Sequence, residues 1–83
     1  MHYRYKTQGT CSQLIDIELE GEIIREVRFT GGCNGNLNGI SALVKGMRAQ
    51  DVIEKFSGIR CGFKNTSCPD QLARALKIAL TKE

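Results

Sequence analysis

The first third of the chain alternates apolar and polar residues, which is the period of a β-strand with one buried face. Three strands are predicted, with a tight turn at Gly21 between the second and the third. The positions that alternate with charged or polar residues are Tyr3, Tyr5 and Thr7, then Ile15, Ile17 and Leu19, then Ile23, Val27 and Phe29. Arg25 falls on the apolar face, so either its stem snorkels to solvent or the strand bulges there. The pattern predicts a three-stranded antiparallel meander.

After Gly31 the period changes to that of helices, and three are predicted. The second helix runs from about Gln50 to Phe56, and the third begins near Pro69. In the first helix, Leu43 lies beside the apolar positions. The apolar positions are Leu37, Ile40, Val44 and Met47, then Val52, Ile53 and Phe56, then Leu72, Ala73, Leu76, Ala79 and Leu80. The predicted fold class is α+β, a meander followed by three helices packed on one face of the sheet.

Three glycines affect the predicted helices. Gly46 and Gly58 are expected to end the first and the second. Gly39 lies inside the first, where it costs about 1 kcal/mol relative to Ala. Close packing against a neighbouring element is the expected reason for it.

Length and composition predict one small domain over residues 1–83, with a core thin enough for a metal, disulfides or a partner subunit to add needed stability. Apolar residues make up 41% and charged residues 25%, as in ordinary globular proteins. The net charge is +3 and the basic residues are scattered, so a nucleic-acid partner is not expected. No apolar run is long enough for a signal peptide or a membrane helix, which favours a cytoplasmic protein without membrane contact.

Each of the four cysteines lies at a junction between predicted elements. Cys11 lies between the first two strands, Cys33 where the third strand gives way to a helix, Cys61 in the loop after the second helix, and Cys68 at the start of the last. Buried structural cysteines are expected inside the periodic pattern instead. In a reducing compartment, four cysteines more often indicate metal or redox chemistry than disulfides. We therefore expect all four to converge on one thiolate site.

Local features support this site. Cys33 and Cys68 precede helices, whose N-termini lower the pKa of a thiol. Ser67 and Asp70 have the spacing of a capping box for the last helix, which would move its start by one residue. Glycines near the cysteines allow the positive φ angles that ligand loops need. These supporting glycines are Gly9, Gly31, Gly32, Gly35 and Gly62.

The spacing leaves several interpretations open. No C-x₂-C pair is present, so the spacing by itself is a weak signal for zinc, and the cofactor is left open between zinc and an iron–sulfur cluster. Cys61 and Cys68 alone would make a thiol redox pair. Unrelated free thiols are the remaining alternative. The glycine-rich stretch 31–35 lacks the Gly-Lys-Ser/Thr ending of a phosphate loop, so it does not predict a nucleotide site.

The pentapeptide Thr66-Ser67-Cys68-Pro69-Asp70 resembles the signature that gives the TSCPD family its name. The resemblance extends over the whole chain, including the four cysteines. It implies a small domain that occurs alone or attached to ribonucleotide reductases, notably cobalamin-dependent ones. The implied partner is a ribonucleotide reductase or another nucleotide-metabolism protein. Members are often labelled ribonucleoside-diphosphate reductases, but 83 residues are too few for the catalytic subunit.

A more distant resemblance is to the U-type iron–sulfur cluster scaffolds. Those proteins place a cysteine after the first strand, a Gly-Cys before a helix and a third cysteine before an Ala-rich last helix. The matching residues here are Cys11, Phe29, Gly32, Cys33, Cys68, Leu72, Ala73 and Ala75. The scaffolds' acidic residue and histidine are replaced by Gln13 and Ser67, and Cys61 has no scaffold counterpart. The resemblance implies a scaffold-like fold and adds cluster transfer as a third functional alternative.

Overall fold

The computed structural model describes residues 1–7, 12–31, 34–59 and 66–81. Three strands come first and form one antiparallel sheet in the order β1-β2-β3. Three helices follow them. The bounds are β1 His2–Lys6, β2 Ser12–Glu20, β3 Ile23–Gly31, α1 Asn34–Val44, α2 Ala49–Phe56 and α3 Cys68–Thr81. This confirms the α+β arrangement of a meander followed by three helices.

The strand pairing explains which side chains enter the core. Ile17 of β2 lies opposite Tyr3 of β1 and Val27 of β3, so these three share the inner face of the sheet. Alternate residues such as Asp16 point to the outer face, since side chains alternate along a strand. The core combines this inner face with residues from all three helices. Its buried members are Ile15, Ile17, Leu19, Ile24, Val27, Val44, Ala49, Val52, Ile53, Leu72, Ala75, Leu76 and Ala79.

The third strand bulges at Arg25. Glu18 pairs with Glu26, but the next residue, Leu19, pairs with Ile24, so Arg25 is an extra residue on β3. Because of the bulge, Arg25 is exposed and does not lie on the apolar face of the sheet, where the alternation had placed it. It also shifts the inner face by one position. Ile24 is fully buried while Ile23 is only partly buried, which corrects the predicted assignment of Ile23 to the core.

Two predictions about α1 are wrong. Leu43 is 64% exposed, so it is not a core residue. Gly39 is exposed, and a Cβ added there would meet no neighbouring atom within 4 Å. Close packing therefore does not account for this glycine. Leu37 and Val44 form the buried side of the helix, and Ile40 lies at its margin.

The start of α2 is hydrogen-bonded to the β2–β3 end of the sheet. Ile24 exchanges hydrogen bonds with the 46–47 segment, at 2.8 and 2.9 Å, and the Ala49 amide donates to the Glu22 carbonyl at 2.7 Å. The helix, about 12 Å long, then takes the chain away from this turn. It ends before Gly58, whose φ of 84° confirms the predicted glycine stop. Gly46, at φ 87°, likewise follows the end of α1.

Candidate thiolate site

Cys68 is the first residue of α3 and is 7% exposed. Ser67 precedes it and caps the helix: its Oγ accepts a hydrogen bond from the Asp70 amide at 3.2 Å. The Ser67 carbonyl accepts the first helical hydrogen bond, from the Gln71 amide at 2.8 Å. The helix therefore begins at Cys68, and Ser67 is its N-cap as the capping-box spacing predicts. Cys68 therefore lies at the helix end that carries the free amides and the positive end of the helix dipole.

The Asp70 carboxylate reaches back across the loop between α2 and α3. Its Oδ1 accepts a hydrogen bond from the Gly58 amide at 2.7 Å. Its Oδ2 accepts the Thr66 hydroxyl and lies 3.0 Å from Nε of Arg74, one helical turn further on. The side chain thus joins the end of α2 to the start of α3. Burial alone would raise its pKa, but the hydrogen bonds from Thr66 and Gly58 and the charge of Arg74 hold the pKa of Asp70 below its usual range.

A second set of hydrogen bonds closes the same junction. The Ser67 hydroxyl donates to the Ile59 carbonyl at 2.6 Å. The Gln71 side-chain amide donates to the Thr66 hydroxyl oxygen at 3.0 Å. Thr66, Ser67, Asp70 and Gln71 are all buried. The residues Gly58, Ile59, Thr66, Ser67 and Asp70 are hereafter the α2–α3 clasp.

Part of the clasp was not anticipated from the sequence. The capping-box spacing identified Ser67 and Asp70, but the roles of Thr66, Ile59 and Gly58 were missed. The available signal was the pentapeptide itself, which begins with Thr66. Gly58 was interpreted only as a helix stop, although its amide is also a donor to Asp70.

The open end of the β2–β3 hairpin, away from its turn, is next in sequence to Cys11 and Cys33. Ser12 and Gly31 are paired across these strands. Paired residues of antiparallel strands have Cα atoms about 4.5–5.5 Å apart. Cys11 directly precedes Ser12 in the chain, and Cys33 follows Gly31 by two residues. The register thus brings together the strand ends from which both cysteines are reached.

The supporting glycines divide into two groups among the described residues. Gly31 has a φ of 80°, as expected for a glycine beside a ligand loop. A Cβ there would also lie 3.2 Å from Cγ of Gln13. Gly35, by contrast, lies within α1 and has open space around it, so it is a helical residue and not a loop glycine.

Six of the predicted site residues lie outside the part of the chain that the structure describes. They are Cys11, Cys33, Cys61, Gly9, Gly32 and Gly62. Within the described ranges, no group of three or more His, Cys, Asp or Glu residues is arranged to hold a metal ion. The convergence of the four thiols therefore stays a prediction.

The outer face of the sheet carries a groove of about 290 Å³. Its charged residues pair with one another: Arg4 with Asp16 at 2.9 Å, and Arg28 with Glu26 at 3.3 Å. The groove is lined by His2, Arg4, Asp16, Glu18, Glu26 and Arg28. Paired charges of both signs are typical of a solvated sheet face, so this groove is not the candidate site.

Among residues 1–7, 12–31, 34–59 and 66–81, no helix is both long enough and apolar enough to cross a membrane. Comparison with known proteins gives one family. The family model of the TSCPD domain matches residues 1–80, which include the described sheet, the clasp and all but the last residue of the three helices. No curated protein and no solved structure matches the chain significantly. The match covers nearly the whole sequence, and the chain therefore belongs to the TSCPD domain family.

Proposed function

We propose that this chain is a small metal-binding module in which Cys11, Cys33, Cys61 and Cys68 hold zinc or an iron–sulfur cluster. The observation that carries the proposal is the position of the cysteines relative to the described elements. Each of them adjoins, or lies within two residues of, an element end or a clasp residue. A domain with so small a core gains stability from a metal that joins several of these ends.

The first pair of ligands is supported by the strand register. Cys11 is one peptide link from Ser12, and Cys33 is two links from Gly31. Since Ser12 and Gly31 are paired across β2 and β3, chain length limits the Cα–Cα distance of the two cysteines to about 17 Å. Two thiols on such short tethers can reach one ion without moving the sheet.

The second pair is supported by the clasp. Cys68 lies at the buried N-terminus of α3, and Cys61 is two links from Ile59, whose carbonyl accepts the Ser67 hydroxyl. Four thiolates are a donor set that suits both zinc and iron–sulfur clusters. When bound, zinc would contribute folding free energy, whereas a cluster would add one-electron redox chemistry.

We propose a ribonucleotide reductase, or another nucleotide-metabolism protein, as the partner. The support is the association with such reductases that the family resemblance implies. A thiol redox partner is the second candidate. The clasp favours it because the Gly58 amide, before Cys61 in the chain, donates a hydrogen bond to the carboxylate of Asp70, after Cys68.

The cofactor is tested on protein purified without oxygen, by metal analysis together with an absorption spectrum. One zinc per chain in a colourless sample supports a structural zinc site, whereas iron, sulfide and a brown colour support a cluster. We expect Cys11→Ser and chelator-treated wild type to melt at similar temperatures, both well below the untreated protein, because metal binding is coupled to folding. If chelator leaves the melting temperature unchanged and reductant shifts it, metal binding is refuted and a disulfide is supported.

The partner is tested by calorimetric titration of the metal-loaded protein into a purified cobalamin-dependent ribonucleotide reductase. Chelator-treated protein is the matched control. Binding that requires the metal supports the proposal, and the absence of heat from either form contradicts this choice of partner.

A further inference from the structure

We infer that the outer edge of β1 is a docking site for an extended acidic segment of a partner protein, which adds one strand to the sheet. In this segment, carboxylate side chains alternate with aliphatic ones. The inference goes beyond the proposed function and does not depend on a metal, because it rests on the described residues of the sheet alone.

The two edges of the sheet differ in how they are covered. β1 and β3 are the outer strands of the order β1-β2-β3. At the start of β3, Ile24 exchanges hydrogen bonds with the 46–47 segment and the Glu22 carbonyl accepts the Ala49 amide. β3 also has the bulge at Arg25, and bulges hinder further pairing at an edge. In the described part of the chain, no strand pairs with the other side of β1, which is therefore the open edge.

The register shows which backbone groups face the open edge. The Leu19 amide donates to the Met1 carbonyl at 2.8 Å, and the Thr7 amide donates to the Gln13 carbonyl at 3.1 Å. Since hydrogen-bonded pairs alternate along antiparallel strands, the odd-numbered residues between these two also bond to β2. The amides and carbonyls of the even-numbered residues point away from β2 and are a template for one more strand. These residues are His2, Arg4 and Lys6.

The same three residues make the edge basic. Side chains alternate along a strand, so those of His2, Arg4 and Lys6 lie on the outer face of the sheet, where all three are exposed. The inner face of β1 presents Tyr3 and Tyr5, which pack partly buried against the core. A strand added at this edge therefore has basic side chains beside it on one face and aromatic rings on the other. Cross-strand complementarity selects carboxylates for the first face and aliphatic residues for the second.

The pairing with β2 shows that β1 accepts this pattern. β2 alternates acidic with aliphatic residues, and Oδ1 of Asp16 lies 2.9 Å from Nε of Arg4 on the facing strand. Lys6 lies opposite Leu14, so β2 supplies no carboxylate to it. A strand with the pattern of β2 is thus complementary to the open edge as well, and it would give Lys6 an acidic partner.

A second copy of this chain is not complementary to the edge. Two β1 edges pair antiparallel only through the residues whose backbone groups point outward, so basic residues of one copy would lie opposite basic residues of the other. With Arg4 opposite Arg4, His2 of each copy would face Lys6 of the other. Like charges directly opposite each other destabilise a strand pair. The edge therefore selects an acidic partner over a second copy.

The test uses the full chain and a probe peptide with the sequence of residues 14–20, whose three carboxylates have the spacing of the three basic residues of β1. In a control peptide, lysines replace the three acidic residues. Two further peptides carry N-methyl groups. Methylation of the acidic residues blocks the amides that would bond to β1, whereas methylation of the aliphatic residues between them leaves those amides free. Affinity is measured by fluorescence anisotropy, and amide hydrogen exchange is measured by NMR.

We expect the acidic peptide to bind, with or without methyl groups on its aliphatic residues, and to slow hydrogen exchange at the Arg4 and Lys6 amides. The lysine peptide and the peptide methylated on its acidic residues should bind about tenfold more weakly, or less. Lys6→Glu should weaken binding of the acidic peptide roughly tenfold, because like charges then face each other. Lys55→Glu is the matched control, a charge reversal at an exposed position of α2 that should leave binding unchanged.

A second pair of variants separates the backbone from the charge. Lys6→Ala removes only the charge, whereas Lys6→Pro also removes the outward amide, which an edge strand tolerates. We expect Lys6→Pro to bind the acidic peptide about fivefold more weakly than Lys6→Ala. If Lys6→Pro does not fold, Lys6→Glu decides.

Three results would overturn the inference. The first is equal binding of the acidic and the lysine peptide, or binding that leaves the Arg4 and Lys6 amides unprotected. The second is a dimer in which these amides are protected without any peptide, which would assign the edge to a second copy. The third is that no peptide binds, which would show that the charges of β1 only keep the edge unpaired.

Discussion

Replacing Ser67 with alanine should destabilise the protein by about 2–3 kcal/mol. The Ser67 hydroxyl caps α3 through the Asp70 amide, and loss of such a cap costs about 1 kcal/mol. The same hydroxyl donates to the Ile59 carbonyl, and an unsatisfied partly buried carbonyl costs about another 1–2 kcal/mol. A chain of this length has a total stability of roughly 4–12 kcal/mol. The substitution should therefore remove a substantial share of it.

The assay is urea unfolding followed by circular dichroism at 222 nm, with and without chelator. The midpoint should fall at an unchanged m-value, and the melting temperature should drop by about 10–20 °C. Ser57→Ala is the matched control, because its hydroxyl also donates to a carbonyl, that of Ile53, but the residue is exposed. We expect the control to change stability by less than about 0.5 kcal/mol. Equal, small effects of the two substitutions would show that the Ser67 hydroxyl does not hold α2 against α3.

Two further predictions concern parts of the fold distant from the clasp. Gly39→Ala should raise the unfolding free energy by about 0.5–1 kcal/mol, because the added methyl enters open space on a helix; a lower urea midpoint would contradict this. The second concerns Asp16. The hydrogen bond from Arg4 lowers the pKa of Asp16, partial burial opposes this, and the charge of Arg4 and the contact with His2 lower it further. Ionised Asp16 stabilises the fold above its unfolded pKa of about 3.9, and this contribution is lost as the pH falls through the lower folded pKa. Asp16→Asn should thus be destabilising at pH 7 and lose its effect at a pH below the folded pKa, and an equal effect at both pH values would refute the ion pair.

The structure gives the family pentapeptide a physical explanation. The Asp70 carboxylate accepts hydrogen bonds from the Thr66 hydroxyl and the Gly58 amide, while the Ser67 hydroxyl caps the helix and donates to the Ile59 carbonyl. Pro69 occupies the second helical position, where the missing amide hydrogen costs nothing because the first turn has no internal partner for it. Cys68 then begins the helix. The four residues around the cysteine therefore build the junction that holds it.

Hydrophobic periodicity alone determined most of the secondary structure. The alternation through Ile15, Ile17 and Leu19 gave β2, and Leu72 with Leu76 marked the buried side of α3, as the structure confirms. The N-cap at Ser67 was predictable too. These features depend on residues within one or two turns of each other, so local chemistry is sufficient to determine them.

Tertiary structure decided the features that depend on distant partners. The bulge at Arg25 moved Ile24 into the core, because β3 had to match the register of β2. Leu43 stayed exposed although its spacing is compatible with a buried face, since no described element covers that side of α1. The Asp70 carboxylate accepts a hydrogen bond from the amide of Gly58, twelve residues earlier in the chain. Such a contact depends on how α2 packs against α3, and no local pattern of residues contains that information.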